Sequence, residues 1–76
     1  IPGSEQRVVI ELKVSQGDVE RIIDAGLPQT REYMDKSGAE AGHLVIFDRT
    51  PDKAWAEKIF QRVVEYRGAP IRVWGM

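Results

Sequence analysis

The chain has 76 residues, with 11 Lys and Arg against 12 Asp and Glu, one histidine and no cysteine. The length fits one small domain or part of one, and the composition excludes disulfides, thiolate metal sites and a multi-histidine metal site within one chain. A net charge of -1 argues against a module that binds polyanions through a basic surface. No apolar run approaches the roughly 20 residues of a membrane span, so no membrane partner is expected. The chain opens with Ile1-Pro2-Gly3-Ser4, which has the composition of a linker or turn, and we interpret it as a piece of a longer protein.

The first predicted element is a strand over residues 7–14. Its side chains alternate strictly and include several β-branched residues, a pattern typical of a half-buried strand. One face holds Val8, Ile10, Leu12 and Val14, and the other holds Arg7, Val9, Glu11 and Lys13. We expect the apolar face to point towards the core, and Glu11 and Lys13 to project together from the opposite face.

Apolar spacings of three and four residues then predict an amphipathic helix. Asp18 is its expected N-cap and Gly38 its left-handed C-cap. Pro28 interrupts the helix, since it removes a backbone donor and clashes with the preceding turn at a cost of about 3 kcal/mol. We therefore expect either a kink or a short helix over 18–25 with a second helix that starts near Pro28. The apolar stripe comprises Val19, Ile22, Ile23, Gly26, Thr30, Tyr33 and Met34.

The second half of the chain is predicted to contain mainly strands. The apolar run at 43–47 is typical of a strand buried on both faces, and it completes a βαβ-like unit with the first strand and the helix. Beyond it we expect a short turn or helix over 51–57, followed by a hairpin of 58–66 with 71–75. A longer helix over 50–66 is the alternative, because its apolar residues also fit helical spacing.

Glu11 and Lys13 are the candidates for chemistry. A carboxylate beside an ammonium can hold a hard divalent cation and orient a water molecule against a phosphate. The alternative is an ordinary ion pair on a solvated strand, and the tripeptide alone favours it because such pairs are common and contribute little stability.

The surrounding sequence resembles that of the PD-(D/E)XK nuclease superfamily. Its E-x-K motif corresponds to Glu11-Leu12-Lys13, and the Gln-x-x-x-Tyr spacing of Gln29 and Tyr33 is similar to the helix motif of the RecB-like recombination nucleases. The stretches 42–49 and 57–60 resemble a narrower group, the nuclease-like domains at the C-terminus of certain prokaryotic AAA-type ATPase proteins. The resemblance covers the chain from about Arg7 to Met76. It implies an α/β fold in which a helix packs across a mixed sheet, as the C-terminal part of a restriction-endonuclease-like fold.

The resemblance also implies roles for individual residues. Glu11 would ligate Mg²⁺ or Mn²⁺, with the carbonyl of Leu12 also facing the metal, and Lys13 would assist the attacking water. Gln29 and Tyr33 would lie beside the metal site and the DNA backbone. An equal alternative for Tyr33 is a place in the core, as part of the apolar stripe of the helix. For Gln29 an equal alternative is simple exposure to solvent without a role.

The sequence departs from the family pattern at its N-terminal end. The family has a metal-binding aspartate on a strand upstream of E-x-K, whereas Ile1 to Gln6 contain none. We therefore expect residues 1–76 to be a partial domain without its N-terminal helix and strands, which binds no metal and does not cut DNA by itself. The missing strands would leave a sheet edge unpaired, which favours a homodimer through that edge.

The expected function is metal-dependent hydrolysis of DNA by a cytoplasmic full-length parent. The alternative is a non-catalytic module of an ATPase-linked protein that binds DNA or protein, or serves in oligomerisation.

Overall fold

A computed structural model describes residues 7–76; the predicted turn at Ile1–Ser4 lies outside the described residues. The fold is mixed α/β, with a four-stranded mixed sheet and one packed helix, as predicted. The elements are β1 (Val8–Ser15), α1 (Val19–Ser37), β2 (Ala41–Asp48), α2 (Trp55–Lys58), β3 (Phe60–Tyr66) and β4 (Ala69–Gly75). Within residues 7–76 no helix is long and apolar enough to cross a membrane.

The strands lie in the order β1-β2-β4-β3. β1, β2 and β4 run parallel to one another, and β3 runs antiparallel to β4. The predicted hairpin is confirmed, and its turn at Arg67 and Gly68 has positive φ at both residues (49° and 78°), as a two-residue hairpin turn of type I′ requires. The long helix considered over 50–66 is wrong, because helix in this region is limited to the four residues of α2.

The ends of α1 are where the sequence predicts them. The Asp18 carboxylate accepts a hydrogen bond from the backbone N–H of Arg21 at 3.1 Å. At the other end Gly38 has φ 70°, and its backbone N–H donates to the carbonyl of Met34. Both caps satisfy backbone groups that a helix end leaves without an intrahelical partner.

Between these caps α1 is one continuous helix that runs through Pro28, so the two-helix expectation is wrong. The neighbours Leu27 and Thr30 are buried against the sheet, and the Thr30 hydroxyl donates to the carbonyl of Gly26 at 2.8 Å. Most helical stability in proteins comes from packing of the apolar face. Here that packing offsets the local cost of the proline.

The core lies between α1 and one face of the sheet. Its most buried apolar side chains are Ile23, Leu27, Met34, Leu44, Ile46, Ile71 and Val73. β2 alternates between buried residues on the helix side and half-buried or exposed residues on the other, with Phe47 40% exposed. The prediction that this strand is buried on both faces is therefore wrong, because α1 covers only one side of the sheet.

β1 turns its most apolar face away from the core, which contradicts the sequence-based expectation. Val8, Ile10, Leu12 and Val14 are 47–63% exposed, whereas Glu11 and Lys13 are half-buried on the helix side. Directly paired residues of neighbouring strands share a face, and Glu11 pairs with Leu44. Because Leu44 and its neighbours form the surface that α1 covers, the pleat of the sheet carries Glu11 to the same side.

Candidate functional site

Glu11 and Lys13 lie side by side on the helix-facing side of β1, an edge strand of the described sheet. The Lys13 Nζ atom is 3.6 Å from Oε1 of Glu11, and the two side chains are 30% and 19% exposed. The prediction that both project from one face is thus confirmed. They are more enclosed than a solvated surface pair, yet still accessible to a small ligand from the edge of the sheet.

Leu12, between them, points the other way. Its side chain is 59% exposed on the face of the sheet that α1 does not cover. Only its backbone carbonyl is therefore a candidate ligand for a metal held by Glu11. Such a carbonyl and a carboxylate are both hard oxygen donors, the ligand type that Mg²⁺ and Mn²⁺ prefer.

One flank of α1 is held against β3 by charged side chains. Arg62 donates two hydrogen bonds to the Glu20 carboxylate, at 2.8 and 3.1 Å, and this contact holds the pKa of Glu20 below its usual value. Further along the helix, Nε of Arg31 donates to the carbonyl of Arg67 at 3.5 Å. The rotation of α1 about its axis is set by the burial of its apolar stripe against the sheet, at Ile23, Leu27 and Met34. The charged contacts show that the flank bearing Glu20 and Arg31 is the one towards β3.

Gln29 and Tyr33 lie on the opposite flank of α1. Each is two residues from Arg31, so each lies about 160° around the helix from it. With the Arg31 flank facing β3, the Gln29 flank faces the β1 edge of the sheet, where Glu11 and Lys13 are. Both side chains are exposed, Tyr33 by 47%, so a place for Tyr33 in the core is wrong.

The described residues do not assemble a complete metal site around Glu11. Within 7–76 no group of three or more His, Asp and Glu residues could hold a metal ion. Asp48 lies on the same face as Glu11, but the register places it four residues further along the neighbouring strand, or about 13 Å. Glu11 and Asp48 therefore cannot share one ion.

Asp48 is the centre of a second polar cluster that the sequence analysis did not single out. Its side chain is only 1% exposed. It accepts hydrogen bonds from the Lys53 ammonium at 2.6 Å and from the backbone N–H of Thr50 at 3.0 Å, as well as from the Thr50 hydroxyl. The Lys53 and Thr50 contacts hold the pKa of Asp48 well below its usual range. The sequence feature that could have indicated this cluster is Asp-Arg-Thr-Pro at residues 48–51, at the end of a predicted strand. Aspartate in such a position commonly accepts hydrogen bonds from the backbone of a turn.

We expect Asp48→Asn to lower the free energy of unfolding at neutral pH and to weaken its acid dependence. Asp48 has a depressed pKa in the folded state, so its contribution is fully present above its unfolded-state pKa of about 4 and is lost as the pH falls further. Urea unfolding at pH 7, 4 and 2.5 measures this. The matched control is Asp52→Asn, which removes the same charge from an exposed residue of the same loop. An equal loss of stability on acidification in both variants would contradict the prediction.

Comparisons with known proteins identify no relative of this chain. No protein-family model matches the chain, and searches of curated proteins and of solved structures also return no match.

Proposed function

We propose that this chain is the C-terminal part of a restriction-endonuclease-like domain whose full-length parent hydrolyses DNA phosphodiester bonds with Mg²⁺ or Mn²⁺. The proposal rests on one arrangement: Glu11 and Lys13 share one side of an edge strand, and Gln29 and Tyr33 lie on the helix flank that faces the same edge. Two motifs 16 or more residues apart in the chain are thereby brought to one edge of the fold. As part of the proposal, the parent is a cytoplasmic, ATPase-linked protein.

In this proposal each side chain has a separate task. The Glu11 carboxylate and the Leu12 carbonyl bind the metal, which supplies Lewis acidity and a bound water when present. The Lys13 ammonium, 3.6 Å from Glu11, stabilises charge that develops on the phosphate or helps to deprotonate the water. Gln29 and Tyr33, exposed on the adjoining flank, donate hydrogen bonds to the DNA backbone.

The proposal requires a second carboxylate from outside residues 7–76, because Mg²⁺ is normally held by one or two carboxylates together with substrate and water. Glu11 is also partly neutralised by Lys13. In place of the sequence-based expectation that residues 1–76 bind no metal, we expect the 76-residue chain to bind Mn²⁺ only weakly at Glu11 and to leave DNA uncut, and the full-length parent to cut it.

The test uses paramagnetic broadening of backbone amide signals on titration with Mn²⁺. Broadening should be strongest at residues 11–13 and should disappear in Glu11→Gln, which preserves the shape of the side chain. Glu32→Gln is the matched control, since Glu32 forms a comparable ion pair with Lys36 on the exposed face of α1 (3.1 Å). Broadening that persists in Glu11→Gln, or cleavage of DNA by the 76-residue chain, would contradict the proposed incomplete site.

The second candidate is a non-catalytic module that binds protein, DNA or another copy of itself. The observation that favours it is the row of exposed aliphatic side chains on β1, since large apolar patches on soluble domains commonly mark interaction surfaces. A full-length parent that shows no divalent-metal-dependent cleavage, yet still binds its partner, would support this candidate over the first.

A further inference from the structure

The side of the sheet that α1 leaves uncovered forms a continuous surface, here called the open face. Strand pairing arranges its side chains in cross-strand rows. One row contains Ile10, His43, Arg72 and Val63, and the next contains Leu12, Val45, Trp74 and Gln61. Val8 and Val14 extend the aliphatic column of β1 at either end. Apolar side chains are thus concentrated on β1 and β2, while polar ones lie towards β3.

The Trp74 and His43 rings of the open face are paired with each other. Nε1 of Trp74 donates to Nδ1 of His43 at 3.0 Å, and the two rings stack with their centroids 6.2 Å apart. The Arg72 guanidinium lies 5.7 Å from the centre of the Trp74 ring. The Trp74 N–H and the Nδ1 atom of His43 satisfy each other, which reduces the desolvation cost of covering these two rings. The Arg72 guanidinium gains attraction from the Trp74 ring but keeps its N–H donors for water or for a partner. Three shallow hollows lie on this face, one of them between Val8, Ile10, His43, Val45, Trp74 and Met76.

We propose that the open face binds the open face of a second copy of this chain, with β1 of each copy lying antiparallel on β1 of the other. In this arrangement the two-fold axis lies in the plane midway between the two sheets and runs across the strands. It passes between the row that contains Ile10 and the row that contains Leu12. Ile10 then faces Leu12 of the second copy, and Arg72 faces Trp74 of the second copy. Aliphatic side chains cover aliphatic ones, and the arginine faces an aromatic ring rather than another cation.

The other two-fold arrangement has its axis parallel to the strands and is less favourable. It stacks β1 on β3 and β2 on β4 of the second copy. Ile10 would then face Val63 and Val45 would face Trp74, which are apolar contacts. However, Leu12 would face Gln61 and His43 would face Arg72, so an aliphatic side chain would cover an amide and two basic groups would meet. The positions of the basic and amide side chains, rather than the count of apolar contacts, therefore favour the arrangement of β1 on β1.

The size of the open face is sufficient for a dimer. Strands rise about 3.3 Å per residue and lie about 4.8 Å apart, so the face measures roughly 25 by 19 Å. Two such faces bury roughly 1,000 to 1,500 Å² together, near the lower end of stable interfaces. The net charge of -1 adds little repulsion between two copies.

Sedimentation equilibrium tests the proposal, and we expect twice the 8.6 kDa mass of the chain. Leu12→Glu and Ile10→Lys each place a charge on the interface and should weaken dimerisation by at least about tenfold, since each 1.4 kcal/mol changes an affinity tenfold. Both residues are exposed in a single copy, so each variant should keep its far-ultraviolet circular dichroism spectrum. The matched control is Ala25→Glu, which adds the same charge to an exposed position of α1 and should leave the dimer intact.

Mixing the two charged variants tests the β1-on-β1 arrangement. Glutamate at 12 of one copy would face lysine at 10 of the other, so the L12E and I10K chains should form a heterodimer although each alone is monomeric. A mixture that stays monomeric would overturn this arrangement. A monomeric native chain at several hundred micromolar would overturn the proposal as a whole. A dimer that survives in L12E would also overturn the proposal, because self-association would then have to involve the sheet edge instead of the open face.

Discussion

Replacement of Glu11 by alanine should lower the proposed divalent-metal-dependent DNA cleavage by the full-length parent by more than about 100-fold. Loss of residues that merely orient a metal ligand commonly costs 10- to 100-fold, and Glu11 is proposed to be a ligand itself. Lys13→Ala should lower the single-turnover rate constant by about 100-fold or more, the range of a lost acid–base or charge-stabilising group. The measurement is single-turnover cleavage of a labelled duplex with Mg²⁺ and with Mn²⁺.

Two controls separate chemistry from folding. Glu32→Ala and Lys36→Ala break an ion pair on the exposed face of α1 and should leave cleavage within about twofold. Removal of either member of the Glu11–Lys13 pair should cost no more than about 1 kcal/mol of stability, because both side chains remain partly exposed. Cleavage that survives both Glu11→Ala and Lys13→Ala would remove the E-x-K assignment.

Gly75→Ala should be the most destabilising of the single-methyl additions, with a loss of about 2 kcal/mol in the free energy of unfolding. Gly75 is buried in β4 opposite Phe60. A Cβ atom there would collide with the Phe60 ring and would lie 2.5 Å from the backbone carbonyl oxygen of Lys58. The ring can shift, but the backbone oxygen cannot move without distorting the start of β3. Overpacking of this kind typically costs 1–3 kcal/mol.

Urea unfolding measures this loss. With an m-value near 1 kcal/mol per molar for a domain of this size, the midpoint should fall by about 2 M. Gly17→Ala is the matched control, since a Cβ at that position meets no atom within 4 Å, and its effect should stay within about 0.5 kcal/mol. In a double-mutant cycle, Phe60→Ala with Gly75→Ala should cost less than the sum of the single changes. Equal midpoints for Gly75→Ala and Gly17→Ala would contradict the close approach of β3 to β4.

The sequence predicts which residues of the candidate site share a face of one element, but not which other elements pack against that face. A strand has a side-chain period of two, so the sequence alone places Glu11 and Lys13 on one face. It does not reveal that α1 packs over that face, because this depends on which side of β2 and β4 is the more apolar. Gln29 and Tyr33 are similar: their spacing of four residues puts them on one flank of a helix, but the direction in which that flank points depends on how the apolar stripe of α1 packs on the sheet.

The sequence by itself determined the types of β1, α1 and β2 and the caps of α1 at Asp18 and Gly38, and it favoured the β3–β4 hairpin over a longer helix, because each depends on residues close together in the chain. Only the tertiary structure decided the continuity of α1 through Pro28, where burial of Leu27 and Thr30 outweighs a local cost. It also decided the orientation of β1, whose aliphatic face lies exposed while Glu11 and Lys13 lie beneath the helix. The physical reason is that alternation specifies two faces of a strand equally well, and a single helix can cover only one of them.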